Sequence, residues 1–203
     1  MAHIAIVYYS STGHTHCIAQ EAASGAEAAG AEVRLRRVAE LAPDSAIDSN
    51  PAWRAHVEAT KDVPVATPDD LDWADGFLLG TPTRFGLPAA QLKQFIDQCG
   101  GLWAAGKLAN KAAGAFTGAG NPHGGQESTL LAVQNVLYHW GSIIVPTGYT
   151  DPLLFAAGGN PYGVSFTDPQ GGDLPEETRA AARYQGGRIA RFAAVLAGNR
   201  EAL

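Results

Sequence analysis

The sequence predicts an α/β fold, a doubly wound parallel sheet with helices on both faces, and three observations carry this prediction. Apolar strand-like runs recur along the chain, a helical pattern follows each of them, and several connecting turns are rich in glycine and hydroxyl residues. Adjacent parallel strands need a crossover connection, which is usually a helix. Such sheets bind ligands at the carboxyl ends of their strands. We therefore expect the functional residues in the turns that follow the strands.

The first half of the chain predicts a central strand, a helix and an edge strand. Residues 3–9 are almost continuously apolar, as in a strand buried on both faces. The helix that follows is expected to end at Gly30 and has its apolar stripe at Ile18, Ala22, Ala26 and Ala29. Arginines interrupt the apolar positions of residues 31–38, which an edge strand tolerates. Residues 39–68 hold four prolines and are too long for an ordinary connection, so we expect a functional or subunit-facing loop.

The second half repeats the alternation of strand and helix three times. Residues 75–80 predict a buried strand, and Pro88 predicts the first position of a helix that ends at Gly100. Residues 111–117 predict the fourth strand, and the helix after it has its apolar stripe at Leu130, Val133, Leu137 and Trp140. Residues 142–146 predict the fifth strand, and a closing helix carries Ile189, Phe192 and Leu196. The chain is thus expected to form a single domain over residues 1–203.

Composition narrows the classes of function. The formal charge is −6, which is the wrong sign for binding nucleic acid or an anionic membrane surface. No apolar run approaches the roughly 20 residues of a spanning helix, and the N-terminal residues read as a strand rather than a signal peptide. Cys17 and Cys99 have neither disulfide-framework nor metal-ligand spacing. We expect a cytoplasmic protein with no metal site, no nucleic-acid partner and no membrane association.

The first turn, residues 10–15, is a candidate anion site. It offers hydroxyls, a glycine and the free amides of a helix start, where the helix dipole favours negative charge. A phosphate monoester could be held there without lysine or arginine. The same residue types also cap ordinary helices, so this turn alone leaves both interpretations open. It lacks the ending of a Walker loop, which disfavours nucleotide hydrolysis.

Two later turns offer further candidate residues. Prolines and glycines stiffen residues 80–88, where a flat heterocycle could rest with Phe85 as an apolar wall and Arg84 facing a carbonyl or a developing anion. The alternative is a core aromatic and a solvated charge. Residues 117–127 follow a strand and precede a helix, but their glycine spacing does not fit a dinucleotide fingerprint.

Two ring side chains outside these turns have open interpretations. Trp103 is either packing or, if exposed, a subunit contact or a stacking wall for a ring-shaped substrate. His139, beside Trp140 at the end of the fourth predicted helix, is either a packed or a functional histidine.

Five short motifs taken together resemble one family. They are the hydroxyl-rich first turn, GTPTRFG at 80–86, GGLW at 100–103, GGQE at 124–127 and VPTGY at 145–149. In this order they resemble the WrbA family of flavodoxin-like NAD(P)H:quinone oxidoreductases, and the resemblance extends from the first strand to residues 182–186. It implies a five-stranded parallel sheet of order 2-1-3-4-5 that binds FMN where the strand order reverses.

The resemblance also implies a role for individual residues. FMN phosphate would contact Ser10, Thr12, Gly13, His14 and Thr15. The isoalloxazine ring would contact Pro82, Thr83, Arg84 and Phe85, and the ribityl chain and ring edge would contact Gly118, Ala119, Gly120 and Asn121. His139 matches a flavin-site histidine, and Trp103 matches a residue that reaches a neighbouring subunit's site in tetramers. The chain departs from the family pattern at Thr12, at residues 121–123 and at Trp140.

The function implied is a ping-pong transfer of two electrons from NAD(P)H to a quinone with FMN as cofactor. In this hypothesis Phe85 and Trp103 bind the substrate by stacking, Arg84 stabilises negative charge, and His139 hydrogen-bonds or protonates the reduced quinone. We expect a homodimer or homotetramer. The alternatives are a flavodoxin-type one-electron carrier, a reductase of free flavin or azo dyes, and an interaction module that no longer binds nicotinamide productively.

Overall fold

The computed structural model describes residues 1–168 and 172–199. Within them the strands are β1 (His3–Tyr8), β2 (Glu32–Arg37), β3 (Gly76–Arg84), β4 (Leu87–Pro88), β5 (Ala112–Ala119), β6 (Ile143–Ile144) and β7 (Ser165–Thr167). The main path of the sheet is β2-β1-β3-β5-β6, with every neighbouring pair parallel. The predicted α/β class and the predicted order 2-1-3-4-5 are confirmed, because β5 and β6 are the fourth and fifth strands of this path.

Helices cover both faces of the sheet. They are α1 (His14–Ala28), α2 (Asp44–Ile47), α3 (Pro51–Ala59), α4 (Pro68–Trp73), α5 (Ala90–Gln98), α6 (Gly100–Ala104), α7 (Gln126–His139), α8 (Leu153–Ala156) and α9 (Glu176–Ala197). Alternate residues of β1 point to opposite faces, so Ile4 and Ile6 pack with α1 and α9, whereas Ala5 and Val7 pack with α5 and α7. No helix in the described ranges is long and apolar enough to cross a membrane.

Helices α1 and α9 approach so closely that only glycine fits between them. A Cβ atom on Gly186 would lie 1.9 Å from the backbone oxygen of Ala22, and one on Gly25 would lie 1.9 Å from the backbone oxygen of Arg183. Side chains at either position would push the helices apart. This close contact fixes the direction of α1, whose N-terminus lies beside the carboxyl ends of the strands, where the cavity described below opens.

The fifth position of the sheet is shared by two short strands rather than filled by the predicted strand 142–146. β6 pairs with the start of β5, and β7 pairs with its end. Pro146 has no N–H to continue the ladder. The side-chain amide of Gln185 forms hydrogen bonds where the ladder is interrupted. Its Nε2 donates to Ala115 O at 2.9 Å, and its Oε1 accepts from the N–H of Val164 at 3.2 Å. Gly163 permits this arrangement, since a Cβ there would lie 2.1 Å from Ala115 O.

The structure corrects three further expectations. Residues 39–68 are not one loop but contain α2, α3 and the start of α4. Pro88 does not start a helix: it pairs with Thr83 in a hairpin whose tip residues, Phe85 and Gly86, both have positive φ, as two-residue hairpin turns require. Helix α5 ends at Gln98, close to the predicted end at Gly100, but a second short helix, α6, follows at once and carries Trp103.

Candidate functional site

A cavity of about 160 Å³ opens at the carboxyl ends of β1, β3 and β5, beside the N-terminus of α1. β1 connects to β2 on one side and neighbours β3 on the other, so the cavity lies at the point where the strand order reverses. Its lining consists of Ser10, Ser11, Thr12, His14, Thr15, Pro82, Thr83, Arg84, Gly118, Ala119, Gly120, Phe166 and Asp168. Three separate turns and the end of β7 therefore meet around one space.

The first of these turns is built to accept an anion. Gly13 is the N-cap of α1 with φ +111°, a value that favours glycine, and its N–H donates to Ser10 Oγ at 3.1 Å. The following amides begin the helix and have no acceptor within it. The first turn of α1 contains no acidic side chain to oppose an anion. Hydroxyls and oriented amides thus face the cavity at the positive end of the helix dipole.

The second turn places Arg84 and Phe85 at the edge of the cavity. Arg84 Nη2 donates to Ser11 Oγ at 3.1 Å, which links the first and second turns. Phe85 is fully exposed and therefore not a core residue. A large apolar ring held in solvent at a positive φ of 54° is costly for stability, and such strain concentrates at functional sites.

Side-chain hydrogen bonds fix the third turn against the second. The hydroxyl of Thr83 is 2.6 Å from Thr129 Oγ1 and 3.3 Å from the carbonyl oxygens of Gly124 and Gly125. Ser128 Oγ donates to Gly86 O at 3.0 Å. The N-terminus of α7 and the tip of the β3–β4 hairpin consequently form one rigid wall.

Sequence reasoning missed two lining residues, Phe166 and Asp168. The N–H of Asp168 donates to Ala119 O at 2.8 Å, and its Oδ2 lies 3.2 Å from His14 Nε2. The ring of Phe166 is 5.4 Å from that of His14. A local signal existed, because Val164 and Phe166 alternate with polar residues as in a strand. The strand itself, β7, is only three residues long and lies in a segment rich in glycine and proline.

Four predicted cofactor residues do not line this cavity, and their positions differ. Gly13 forms the turn beneath it, and Phe85 and Asn121 directly follow lining residues in sequence. His139 is far away, at the other end of α7, which is about 20 Å long at 1.5 Å per residue. There the indole Nε1 of Trp103, which is 55% exposed, donates to the carbonyl of His139 at 2.9 Å. One chain does not bring His139 or Trp103 to its own cavity.

Glu40 anchors the segment behind the first turn. Its carboxylate accepts from the side chains of Tyr9, Trp53 and Gln91 and from the backbone of residues 41 and 42. Burial alone raises the pKa of Glu40, but hydrogen bonds from Ala42, Gln91, Tyr9 and Trp53 outweigh it and lower the pKa. Burial, together with the hydrogen bond to Glu40, raises the pKa of Tyr9 far above its ordinary value. The carboxyl group of Glu40 is thus ionised at neutral pH, whereas the hydroxyl group of Tyr9 is not.

Comparison with known proteins gives one family and a consistent group of relatives. The family model described as NADPH-dependent FMN reductase matches residues 3–151. A protein of Deinococcus radiodurans named NAD(P)H dehydrogenase (quinone) is 51% identical over 195 residues, covering 96% of this chain and 97% of its own. A protein of the same name from Rhodopseudomonas palustris is 42% identical, covering 98% of this chain and 100% of its own.

Solved structures agree at the level of the fold. A flavodoxin, WrbA-like protein from Agrobacterium tumefaciens has a TM-score of 0.67 at 25% identity, covering 96% of this chain and 99% of its own. An archaeal flavodoxin has a TM-score of 0.62 at 16% identity, covering 95% of this chain and 99% of its own. At that lower identity the likeness concerns the fold alone.

Proposed function

Because the chain belongs to the family of NADPH-dependent FMN reductases, we propose that it uses FMN to move two electrons from NAD(P)H to a quinone in a ping-pong sequence. The single observation that carries this proposal is the cavity at the strand-order reversal, where an anion-binding turn, a rigid hairpin and a glycine-rich turn converge. Two relatives named NAD(P)H dehydrogenase (quinone) support the choice of donor and acceptor. We also propose a cytoplasmic location, which suits the two free cysteines.

The residues of the cavity fit FMN. A phosphate would accept hydrogen bonds from the amides at the start of α1 and from the hydroxyls of Ser10, Thr12 and Thr15. The glycine-rich third turn allows close backbone approach to the ribityl chain and ring edge at Gly118, Ala119, Gly120 and Asn121. Pro82, Thr83, Arg84 and Phe85 would flank the isoalloxazine.

When bound, FMN supplies a centre that takes up a hydride and gives up two electrons. The chain contributes binding, orientation and charge. The guanidinium of Arg84, held by Ser11 at the cavity edge, stabilises negative charge that develops next to it. The exposed ring of Phe85 offers an apolar surface on which a nicotinamide or a quinone stacks. A single such place serves donor and acceptor in turn, and this sharing is the reason for proposing a ping-pong order.

We further propose that a homodimer or homotetramer completes the substrate side of the site. Trp103 and His139 are exposed together on one patch, joined by the hydrogen bond from the indole to the His139 carbonyl. They cannot serve their own chain's cavity, but a neighbouring chain could receive both. In that arrangement Trp103 would provide a second stacking wall, and the His139 imidazole would hydrogen-bond or protonate the reduced quinone.

The decisive experiment is anaerobic. Protein reconstituted with FMN is mixed with NADH or NADPH, and the flavin absorbance is followed before and after benzoquinone is added. We expect bleaching by the donor, recovery with the quinone, and parallel double-reciprocal lines in steady state. Intersecting lines would overturn the ping-pong order. Bound flavin that no nicotinamide bleaches would leave the electron-carrier or interaction-module alternatives, and failure to retain FMN would remove the proposal.

A further inference from the structure

A pair of histidines lies directly behind the first turn of the cavity. His56 of α3 packs against the turn, with its Nδ1 3.7 Å from where a Cβ of Gly13 would be. The rings of His56 and His16 are 5.4 Å apart between centroids, and His16 Nδ1 is 2.5 Å from the hydroxyl oxygen of Tyr8. The segment 39–68 therefore brings an imidazole to the back of the turn that begins α1.

The His56 side of this pair lines a small cavity behind the first turn. A cavity of about 30 Å³, large enough for one water molecule, is lined by Tyr8, Tyr9, Ser10, Arg37, Val38, Glu40, His56, Val57 and Thr60. Of the charged groups there, Arg37 donates through Nε to Val63 O at 3.0 Å, and Glu40 is already bound by five other donors. From α1, Cys17 adjoins His16 in sequence and is half-buried, and this burial raises the pKa of its thiol.

Burial disfavours the charged form of both imidazoles. Burial lowers the pKa of His16, and burial together with repulsion from His16 lowers the pKa of His56 to about 4. The first turn itself contains no lysine or arginine, and its own histidine, His14, is engaged by Asp168 and by the carbonyl of Gly172. Two imidazoles that could take up a proton therefore lie next to an anion site whose nearest guanidinium, that of Arg84, comes from the second turn and donates to Ser11 Oγ.

We propose that His56, supported by His16, is a positioning residue that takes up a proton when a phosphate monoester binds in the first turn. This inference rests on the proposed function, because it needs FMN phosphate to occupy that turn. A phosphate carries about −1.5 to −2 charges at neutral pH, and an anion close to an imidazole favours its charged form. The proton comes from solvent, and only one of the two touching rings holds it. The resulting imidazolium attracts the phosphate through the turn and holds Gly13 in its helix-capping conformation.

The test measures proton uptake on binding. Isothermal titration of apoprotein with FMN is run at about pH 6, near the ordinary pKa of histidine, in buffers that differ in ionisation enthalpy. Wild type is compared with His56→Gln and with His3→Gln, a matched control at the opposite end of β1. FMN's own phosphate titrates near the same pH, and the free ligand does so equally in all three titrations, so the difference between the proteins reports the coupled imidazole and phosphate. Riboflavin, which lacks the phosphate, is the second ligand.

Wild type and His3→Gln are expected to take up about half a proton more than His56→Gln on binding FMN, with no difference for riboflavin. His56→Gln should bind FMN about twofold more weakly at pH 6, as uptake of half a proton requires, and the deficit should shrink towards pH 8. Equal proton counts in wild type and His56→Gln would overturn the inference, and so would a deficit shared by riboflavin, since that indicates a merely structural role.

A second measurement needs no variant. The imidazole resonances of wild type are titrated by NMR without ligand, with riboflavin and with FMN. The pKa of His56 or His16 should rise with FMN only, and unchanged titration curves would overturn the inference. Failure of FMN to bind at all would instead contradict the proposed function, so the two failures are distinguishable.

Discussion

The two ends of α7 are built differently. At its N-terminus, side-chain hydrogen bonds from Thr83 and Ser128 join the helix to the hairpin and close one wall of the cavity. At its C-terminus, Tyr138 and His139 are exposed beside Trp103 of α6. The indole of Trp103 donates a hydrogen bond to the carbonyl of His139 and so joins α6 to α7. One chain by itself thus forms the whole cavity in which most of the predicted cofactor residues meet, whereas Trp103 and His139 are exposed away from it. Four predictions test this division, from the largest effect to the smallest.

The cavity end depends on β7, which Gln185 attaches to the sheet. Gln185→Leu removes both hydrogen bonds of the buried amide and leaves Ala115 O and Val164 N without partners, so we expect a loss of about 2–4 kcal/mol in the free energy of unfolding. Urea denaturation measures it. Gln20→Leu, an exposed change on α1, is the control and should cost under about 0.5 kcal/mol. A small loss for Gln185→Leu would mean that the split fifth strand is held by other contacts.

The proposed catalytic role of the cavity rests on Arg84. Arg84→Ala removes the link to Ser11 and the cation at the cavity edge, and we expect kcat with NADPH and benzoquinone to fall about 10- to 100-fold. Arg191→Ala, an exposed arginine of α9, is expected to leave kcat unchanged. If Arg84→Ala raised only KM, the side chain would bind substrate without stabilising charge in the transition state.

Glu40 stabilises the segment behind the first turn, and this contribution to the free energy of unfolding depends on pH. Its folded-state pKa is lowered, so the unfolded chain takes up the proton first as the pH falls. The stabilisation by Glu40 is complete above its ordinary pKa of 4.5 and is lost as the pH drops through the lowered value. Tm should therefore fall with acidification less steeply in Glu40→Gln, which should itself be about 1–2 kcal/mol less stable at pH 7. Parallel Tm curves for the two proteins would contradict this role.

Trp103→Ala tests the exposed patch at the C-terminus of α7. Because Trp103 is more than half exposed, the free energy of unfolding should change by under about 0.5 kcal/mol, and FMN affinity should not change. The KM for quinone should rise, and the assembly should weaken in sedimentation. Tyr149→Ala removes an exposed aromatic ring elsewhere and is the control. An unchanged KM and an unchanged sedimentation coefficient would show that this patch has no part in the site.

Local patterns in the sequence predicted much of this molecule. The apolar run at residues 3–9 indicated the central strand, and the structure has it as β1. The five motifs indicated the family, and the family match and the close relatives confirm that recognition. The three turns named as candidates do meet around one cavity. The assignment of individual residues to cofactor, substrate or catalysis stays a prediction.

The errors have a common physical cause. Pro88 fits the start of a helix by residue type, but pairing with Thr83 makes it part of a hairpin. Residues 142–146 have the composition of a strand, yet the ladder stops where Pro146 lacks an N–H. In both cases the hydrogen-bonded pairing in the sheet, which Pro88 joins and Pro146 cannot continue, outweighed local propensity.

By itself the sequence determined the alternation of buried strands and helices and the chemistry of each turn, because periodicity and turn residues act within a few positions of the chain. Only the tertiary structure decided which distant side chains support those turns. His56 reaches the first turn from the segment 39–68, Asp168 reaches His14 from beyond β7, and Gln185 completes the sheet from α9. Each contact joins residues dozens of positions apart, so it exists only when the sheet and its helices have packed together.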